Sequence, residues 1–138
     1  MSRLKLLRRV ALLREVEHRA TARAAAEAET ARGEIAALAE RTLRLAQDYA
    51  VLGGASDGGT LVARARFAGT LRTIHATARA DHQRAGTLAD TRMAALAEAE
   101  RRRDAVHERV EHERRAERRA GREPILGGRR PAPLKERP

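Results

Sequence analysis

The chain has 138 residues, a length that suits one domain, but aromatic residues make up only 1% of it and its 42% of hydrophobic residues are largely alanine. A thick core of large side chains is therefore excluded. Charged residues make up 35% of the chain, with a net charge of +10, a composition typical of long helices and coiled coils. Because there is no cysteine, disulfides, thiolate catalysis and cysteine-type zinc sites are also excluded.

The first predicted helix covers residues 2–52. Ser2 is a candidate N-cap, and no proline or glycine cluster follows before Gly53. Apolar residues recur at steps of three and four, which indicates a face packed on another helix. The predicted positions are Leu6, Val10, Leu13, Ala20, Ala24, Ala28, Ala31, Ile35, Leu38, Thr42, Leu45, Tyr49 and Leu52. Two successive steps of four at 20–28 predict a local relaxation of the supercoil.

A glycine-rich tip is predicted at residues 53–60, where four glycines occur within eight residues. The stretch is similar to a phosphate-binding loop, but Gly59 stands where that loop needs its lysine. Such a loop also follows a strand, whereas a long helix precedes this one. We therefore expect a turn that reverses the chain.

The second predicted helix covers residues 61–120 and is expected to end at Gly121 and Pro124. Its predicted packing positions are Phe67, Leu71, Ile74, Ala78, Ala85, Leu88, Ala89, Met93, Leu96, Ala99, Val106 and Val110. Reversal at the tip would bring Leu52 near Leu61, Ile35 near Ala78 and Leu6 near His107.

The predicted fold is all-α: a long antiparallel two-helix coiled-coil hairpin over 1–122, with a disordered basic tail rich in proline and arginine at 123–138. The pattern fits two arrangements equally well, a hairpin closed within one chain or helices paired between two chains. No stretch is apolar enough to span a bilayer. We expect neither an enzyme nor a small-molecule substrate, because two helices offer no enclosed cavity for catalysis.

Histidine pairs are the remaining candidates for a metal. His107 and His112 flank Glu108 as in a zinc-protease helix, but a five-residue separation turns the two rings about 140° apart. His75 and His82 are seven residues apart and share a helix face without a carboxylate cluster. We therefore expect no metal and no cofactor.

Basic residues are predicted to gather at the end of the hairpin away from the glycine tip. They are Arg3, Lys5, Arg8, Arg9, Arg14, Arg101, Arg102, Arg103 and Arg109. Such an end favours nucleic-acid phosphate, an anionic membrane surface or an acidic protein surface, although a solvated charged face without a partner is also open. The lack of stacking aromatics, together with the acidic residues among these arginines, disfavours nucleic acid.

The chain resembles the FliJ family, the small coiled-coil stalk proteins of the bacterial flagellar export apparatus and their relatives in type III secretion. The likeness covers about residues 1–122 and follows the order of helix, polar break and longer helix. Its local matches are Ala46-Gln47-Asp48-Tyr49 before the break, Phe67-Ala68-Gly69-Thr70-Leu71-Arg72-Thr73-Ile74 after it, and the charged ending from Ala105 to Arg115. The choice between a flagellar and another type III system stays open.

This resemblance implies a non-enzymatic stalk that couples a hexameric export ATPase to a membrane export gate, with substrate-specific export chaperones as further partners. The implied location is cytoplasmic, peripheral at the cytoplasmic face of the inner membrane. The basic set named above would face the ATPase, and Tyr49, Phe67, Leu71 and Ile74 would lie toward the gate. Because these four also fit helix packing, an internal role is the alternative for them.

Overall fold

The computed structural model describes residues 2–51 and 58–127, and its side chains are described for 2–50 and 58–122. Every described residue except Ser2 is helical. Helix α1 runs over Arg3–Val51 and helix α2 over Gly58–Gly127. The described part of the chain is therefore all-helical, as predicted, and consists of two helices.

Helix α1 begins and ends within one residue of its predicted bounds. Ser2 caps it, since the Ser2 hydroxyl oxygen accepts a hydrogen bond from the Lys5 N–H at 3.3 Å. The Ser2 carbonyl also accepts the N–H of Leu6 at 3.3 Å. A side-chain cap of this kind contributes about 1 kcal/mol to helix stability, because it satisfies a donor that the helix leaves unpaired.

Helix α2 is longer than predicted at both ends. It begins at Gly58 rather than Leu61, and it continues through Gly121 and Pro124 to Gly127. Gly121 has no left-handed φ that would end a helix, and a lone glycine costs only about 1 kcal/mol relative to alanine. Pro124 lies inside the last turns of this helix, although proline there supplies no N–H for the backbone hydrogen bond of its turn. Leu52, the rest of the predicted tip (53–57) and the rest of the predicted tail (128–138) lie outside the described residues.

The chain divides into two compact units. The central unit is Arg19–Glu98, and the terminal unit is Met1–His18 together with Ala99–Pro138. In the central unit, Tyr49 contacts Phe67, and the Ala39 carbonyl contacts His75. In the terminal unit, Glu17 contacts Arg102, and Glu15 contacts His107. In each unit, the residue nearer the start of α1 contacts the residue nearer the end of α2. The two helices therefore run antiparallel within each unit.

Alanine dominates the interface of the central unit. Its buried residues are Ala25, Ala28, Thr42, Ala46, Ala68, Leu71, Ala78 and Ala89. In α1 the less exposed positions run through Thr21, Ala25, Ala28, Arg32 and Ile35 in alternating steps of three and four. Ala20 is exposed. The expected double step of four at 20–28 is therefore absent from the buried side of α1.

Several large residues that were predicted to pack between the helices lie at the edge of the interface. Leu38, Leu45, Phe67, Ile74, Leu88 and Met93 are between 41% and 50% exposed. All but Met93 are followed directly by an alanine or a histidine that is more buried. The apolar pattern is wide enough to fit two neighbouring stripes, and the helices pack along the stripe of smaller residues because these allow a closer approach.

The terminal unit has a different register from the predicted one. His107 Nε2 lies 3.7 Å from Glu15 Oε2, so His107 is level with Glu15 rather than with Leu6, nine residues away. Leu4 is buried, whereas Leu6 and Leu13 are 55% and 69% exposed. The predicted register was counted outward from the glycine tip, whereas in this unit Leu4 is buried and Leu7 and Ala11 are half-buried.

Replacing Ala89 by leucine should destabilise the protein by about 1–3 kcal/mol, because Ala89 is 1% exposed and the helix interface has no room for a longer side chain. Urea unfolding followed by circular dichroism measures this change. Ala94→Leu is the matched control, since Ala94 is exposed on the same helix and its replacement should change stability by less than about 0.5 kcal/mol. Equal unfolding midpoints for the two variants would contradict an alanine-packed interface.

Candidate partner-binding surfaces

Glu17 is the centre of an ion-pair cluster between the helices of the terminal unit. Its carboxylate accepts a hydrogen bond from Arg14 Nη1 at 2.8 Å and another from Arg102 Nη1 at 3.2 Å. The hydrogen bond from Arg14, helped by the charges of Arg14 and Arg102, lowers the pKa of Glu17 below its ordinary value of 4.5, against a smaller opposing effect of burial. Glu17 therefore ties α1 to α2 as a carboxylate.

His18 continues this cluster. Its Nε2 lies 3.4 Å from Glu100 Oε1, and Arg103 Nη1 lies 3.2 Å from its Nδ1. Arg103 also contacts Asp104 at 3.2 Å and is only 26% exposed. Arg102 and Arg103 are thus held by acidic or imidazole groups. This stretch presents less cationic charge to a partner than its sequence indicates.

The nine predicted ATPase-facing residues do not form one group. Arg14, Arg102 and Arg103 belong to the cluster around Glu17 and His18. Arg101 and Arg109 lie on α2 in the same unit and are exposed. The remaining four, Arg3, Lys5, Arg8 and Arg9, lie on the first turns of α1. Leu4 and Arg8 border a depression whose other side is formed by Arg114, Glu117 and Arg118 of α2.

Arg114 and Arg118 are basic residues that the sequence interpretation missed. They border the same depression as Arg8, in the place where the predicted register put Arg101, Arg102 and Arg103. The interface spacing from Val106 and Val110 continues to Glu113 and Glu117, the residues directly before Arg114 and Arg118, so counting it onward would have placed these arginines beside the start of α1. The basic surface near the start of α1 is therefore completed by the last described turns of α2.

Charge is divided unequally between the two units. The terminal unit contains 18 basic and 10 acidic residues, a net charge of +8. The central unit contains 11 basic and 9 acidic residues, a net charge of +2. Any attraction to an acidic partner is therefore concentrated in the terminal unit.

The four predicted gate-facing residues separate into interface and surface. Leu71 is 6% exposed and packs in the interface, and Tyr49 is half-buried. Phe67 and Ile74 are 46% and 43% exposed. The rings of Tyr49 and Phe67 meet edge to face, with centroids 4.6 Å apart and planes inclined by 64°. Phe67 and Ile74 are thus the two members available to a partner over about half their surface.

These two residues belong to a longer surface, here named the apolar flank. Phe67 and Ile74 are one heptad apart on α2, and Leu38 and Leu45 are one heptad apart on α1. Leu38 and Ile74 line one open depression together with Thr73, Thr77 and Asp81, so the two pairs lie on the same side of the central unit. Leu88 continues the spacing on α2, and the apolar flank consists of Leu38, Leu45, Phe67, Ile74 and Leu88.

The four histidines considered as metal ligands from the sequence lie in different surroundings. His75 Nδ1 donates a hydrogen bond to the Ala39 carbonyl at 2.8 Å, across the interface of the central unit. His82 Nδ1 is buried and has no hydrogen-bond partner. His107 and His112 border an open depression on the surface of α2. Within the described residues, no group of three or more His, Cys, Asp or Glu side chains is placed to hold a metal ion.

Comparison with protein-family models, with curated proteins and with solved structures returns no match. In residues 2–51 and 58–127, neither helix contains a segment apolar enough to cross a bilayer. The basic terminal unit and the apolar flank are the two surfaces of this protein that indicate a binding function.

Glu17→Gln should reduce the amount of stability that the protein loses as the pH falls below neutral. Because the folded-state pKa of Glu17 is lowered, its contribution to stability is present above about pH 4.5 and is lost as the pH falls through the folded value. Urea unfolding between pH 3 and pH 7 should show a smaller loss in the variant than in the wild type. Glu108→Gln, at an exposed position of α2, is the control and should retain the wild-type slope.

His82→Leu should stabilise the protein by roughly 1 kcal/mol, since a buried nitrogen without a partner costs free energy that an apolar side chain avoids. The change is measured as the shift in the urea midpoint at neutral pH. His112→Leu, at an exposed position, should leave the midpoint nearly unchanged. A clear loss of stability in His82→Leu would mean that His82 makes a stabilising polar contact.

Proposed function

We propose that this protein is a non-enzymatic assembly protein that acts as an antiparallel coiled-coil hairpin in bacterial type III protein export. In this role it couples a hexameric export ATPase to a membrane export gate and escorts substrate-specific export chaperones. It would act in the cytoplasm, peripherally at the inner membrane. The observation that carries the proposal is the apolar flank, because five large side chains are left half-exposed beside an interface of small ones.

The apolar flank supports a binding role for two reasons. Its residues recur at heptad spacing on both helices, which suits a third helix lying along the central unit. The helix interface itself is narrow and rich in alanine, so burying the flank against a partner would add apolar area that the chain alone does not bury. A protein of this kind gains stability when it works in a complex.

The two surfaces suit the two ends of such a coupling protein. The terminal unit, with its net charge of +8, is suited to an acidic protein surface, which we assign to the ATPase ring. Phe67 and Ile74 on the apolar flank are assigned to the gate, and Tyr49 supports Phe67 through its ring contact. Leu71 is assigned to helix packing, because it is buried.

The assignment is tested by ATPase stimulation and by binding to the gate. The full chain should stimulate a cognate export ATPase at a small molar ratio. Phe67→Ala/Ile74→Ala should weaken binding to the gate protein about tenfold or more while leaving that stimulation unchanged, because the two residues lie in the central unit. Met93→Ala, which removes a side chain of similar exposure outside the apolar flank, is the matched control.

A flat ATPase response to the wild-type protein would contradict the proposal.

The second candidate, a basic coiled coil that binds nucleic acid without sequence preference, is favoured by the +8 charge of the terminal unit. It requires affinity for duplex DNA that falls steeply as salt rises. A titration that detects no binding at low salt would remove this alternative.

A further inference from the structure

The first turns of α1 and the last described turns of α2 border a common depression, here named the arginine depression. It is lined by Leu4 and Arg8 of α1 and by Arg114, Glu117 and Arg118 of α2. Three of these five side chains carry a guanidinium, and Leu4, which is 8% exposed, adds an apolar part to the lining. The depression has a volume of about 350 Å³, which accommodates several side chains rather than one small ion.

The guanidiniums of the arginine depression are engaged less within the chain than those of the cluster around Glu17. The side chains of Arg8 and Arg118 make no ion pair and no hydrogen bond with any other described residue. Arg114 Nη1 lies 3.4 Å from Glu111 Oε1, but this pair is between neighbouring turns of one helix, and Arg114 remains 42% exposed. Such exposed pairs are weak, so Arg114 can turn to an incoming anion at little cost.

The three guanidiniums reach the arginine depression from two helices. Arg114 and Arg118 are four residues apart and so share a face of α2, and Arg8 reaches the depression from α1. The first turn of α1 contains no acidic residue that would neutralise this charge. Because a guanidinium presents a planar fork of N–H donors, each of the three can hold a carboxylate by two parallel hydrogen bonds. The arrangement therefore suits an anion with several oxyanion groups.

Glu117 favours an acidic peptide over a nucleic acid. Its carboxylate lies among the guanidiniums, where it would oppose a duplex that carries one charge about every 1.7 Å. A peptide can place an uncharged residue against Glu117 and carboxylates on either side of it. The chain has one tyrosine and one phenylalanine, Tyr49 and Phe67, and both belong to the central unit, so the arginine depression offers no ring for base stacking.

We propose that the arginine depression binds an acidic peptide segment of a partner protein, with carboxylates of the segment on Arg8, Arg114 and Arg118 and an uncharged residue beside Glu117. This inference rests on the part of the proposed function that assigns the terminal unit to an acidic protein surface. It gives that contact a location at the first turns of α1 and the last described turns of α2, rather than at residues 101–103.

Fluorescence anisotropy with a short fluorescein-labelled polyglutamate peptide tests the proposal on the full chain. Arg8→Gln/Arg118→Gln should weaken binding about tenfold, because it removes two of the three guanidiniums. The matched control is Arg109→Gln/Arg119→Gln, which replaces two exposed arginines of α2 that do not border the arginine depression. Both variants lower the net charge by two, and the control should bind within about twofold of wild type.

A second pair of variants gives a readout that does not need a loss of binding. Glu117→Gln should tighten binding of polyglutamate about threefold, because it removes the one carboxylate that lines the arginine depression. Glu108→Gln raises the net charge by the same amount at an exposed position of α2 outside the depression and should leave the affinity unchanged. A gain of affinity cannot come from unfolding, so this pair decides the matter even if the arginine double variant loses helicity by circular dichroism.

Three results would overturn the proposal. The first is no binding of polyglutamate to the wild-type chain at low salt. The second is an equal loss of affinity in the two arginine double variants, which would mean attraction by net charge alone. The third is duplex DNA that binds tighter than polyglutamate and loses more affinity in Arg8→Gln/Arg118→Gln, which would assign the depression to nucleic acid. None of these assays contains an export ATPase, so normal binding of polyglutamate without ATPase stimulation would reject the export role and leave the peptide site standing.

Discussion

Close packing of alanine between α1 and α2 determines which side chains this protein buries and which it leaves on its surface. Of the nine buried hydrophobic residues among those described, seven are alanine, and the other two are Leu4 and Leu71. Alanine permits close approach of two helices, but each residue removes little apolar area from water. The stability gained by helix packing is therefore spread thinly along the interface, and the larger aliphatic residues are left on the surface.

Polar residues within the interface help to set which residues meet. Thr42 is buried and satisfies its hydroxyl on the carbonyls of Leu38 and Ala39 of its own helix, at 3.1 and 3.0 Å. His75 reaches across to the Ala39 carbonyl, and this contact is lost if the helices slide. An alanine interface has few large side chains to fix its register, so directional contacts of this kind carry much of the specificity. The cluster of Glu17, Arg14 and Arg102 acts in the same way in the terminal unit.

The distribution of side chains separates two kinds of binding surface. The central unit is nearly neutral and exposes the apolar flank, which suits a helical partner. The terminal unit is strongly basic, and its two α1 carboxylates are paired with α2 or with Arg14. The apolar flank exists because α1 and α2 pack on their small residues and leave the large ones outside.

The helical class, the extent of α1 and the Ser2 cap could be predicted from the sequence, because they depend on local propensity, glycine placement and a single side chain. The apolar spacing also predicted Thr42, Leu71, Ala78 and Ala99 correctly as packing residues. At these positions the predicted and the observed packing faces of the helices overlap. The same spacing does not show which of two neighbouring stripes of residues packs between the helices. The prediction that Leu38, Phe67 and Ile74 are buried there was therefore wrong. The packing stripe and the contact between His107 and Glu15 are known only from the packed helices, because both depend on how closely α1 and α2 approach each other, and the periodicity of one helix does not contain that distance.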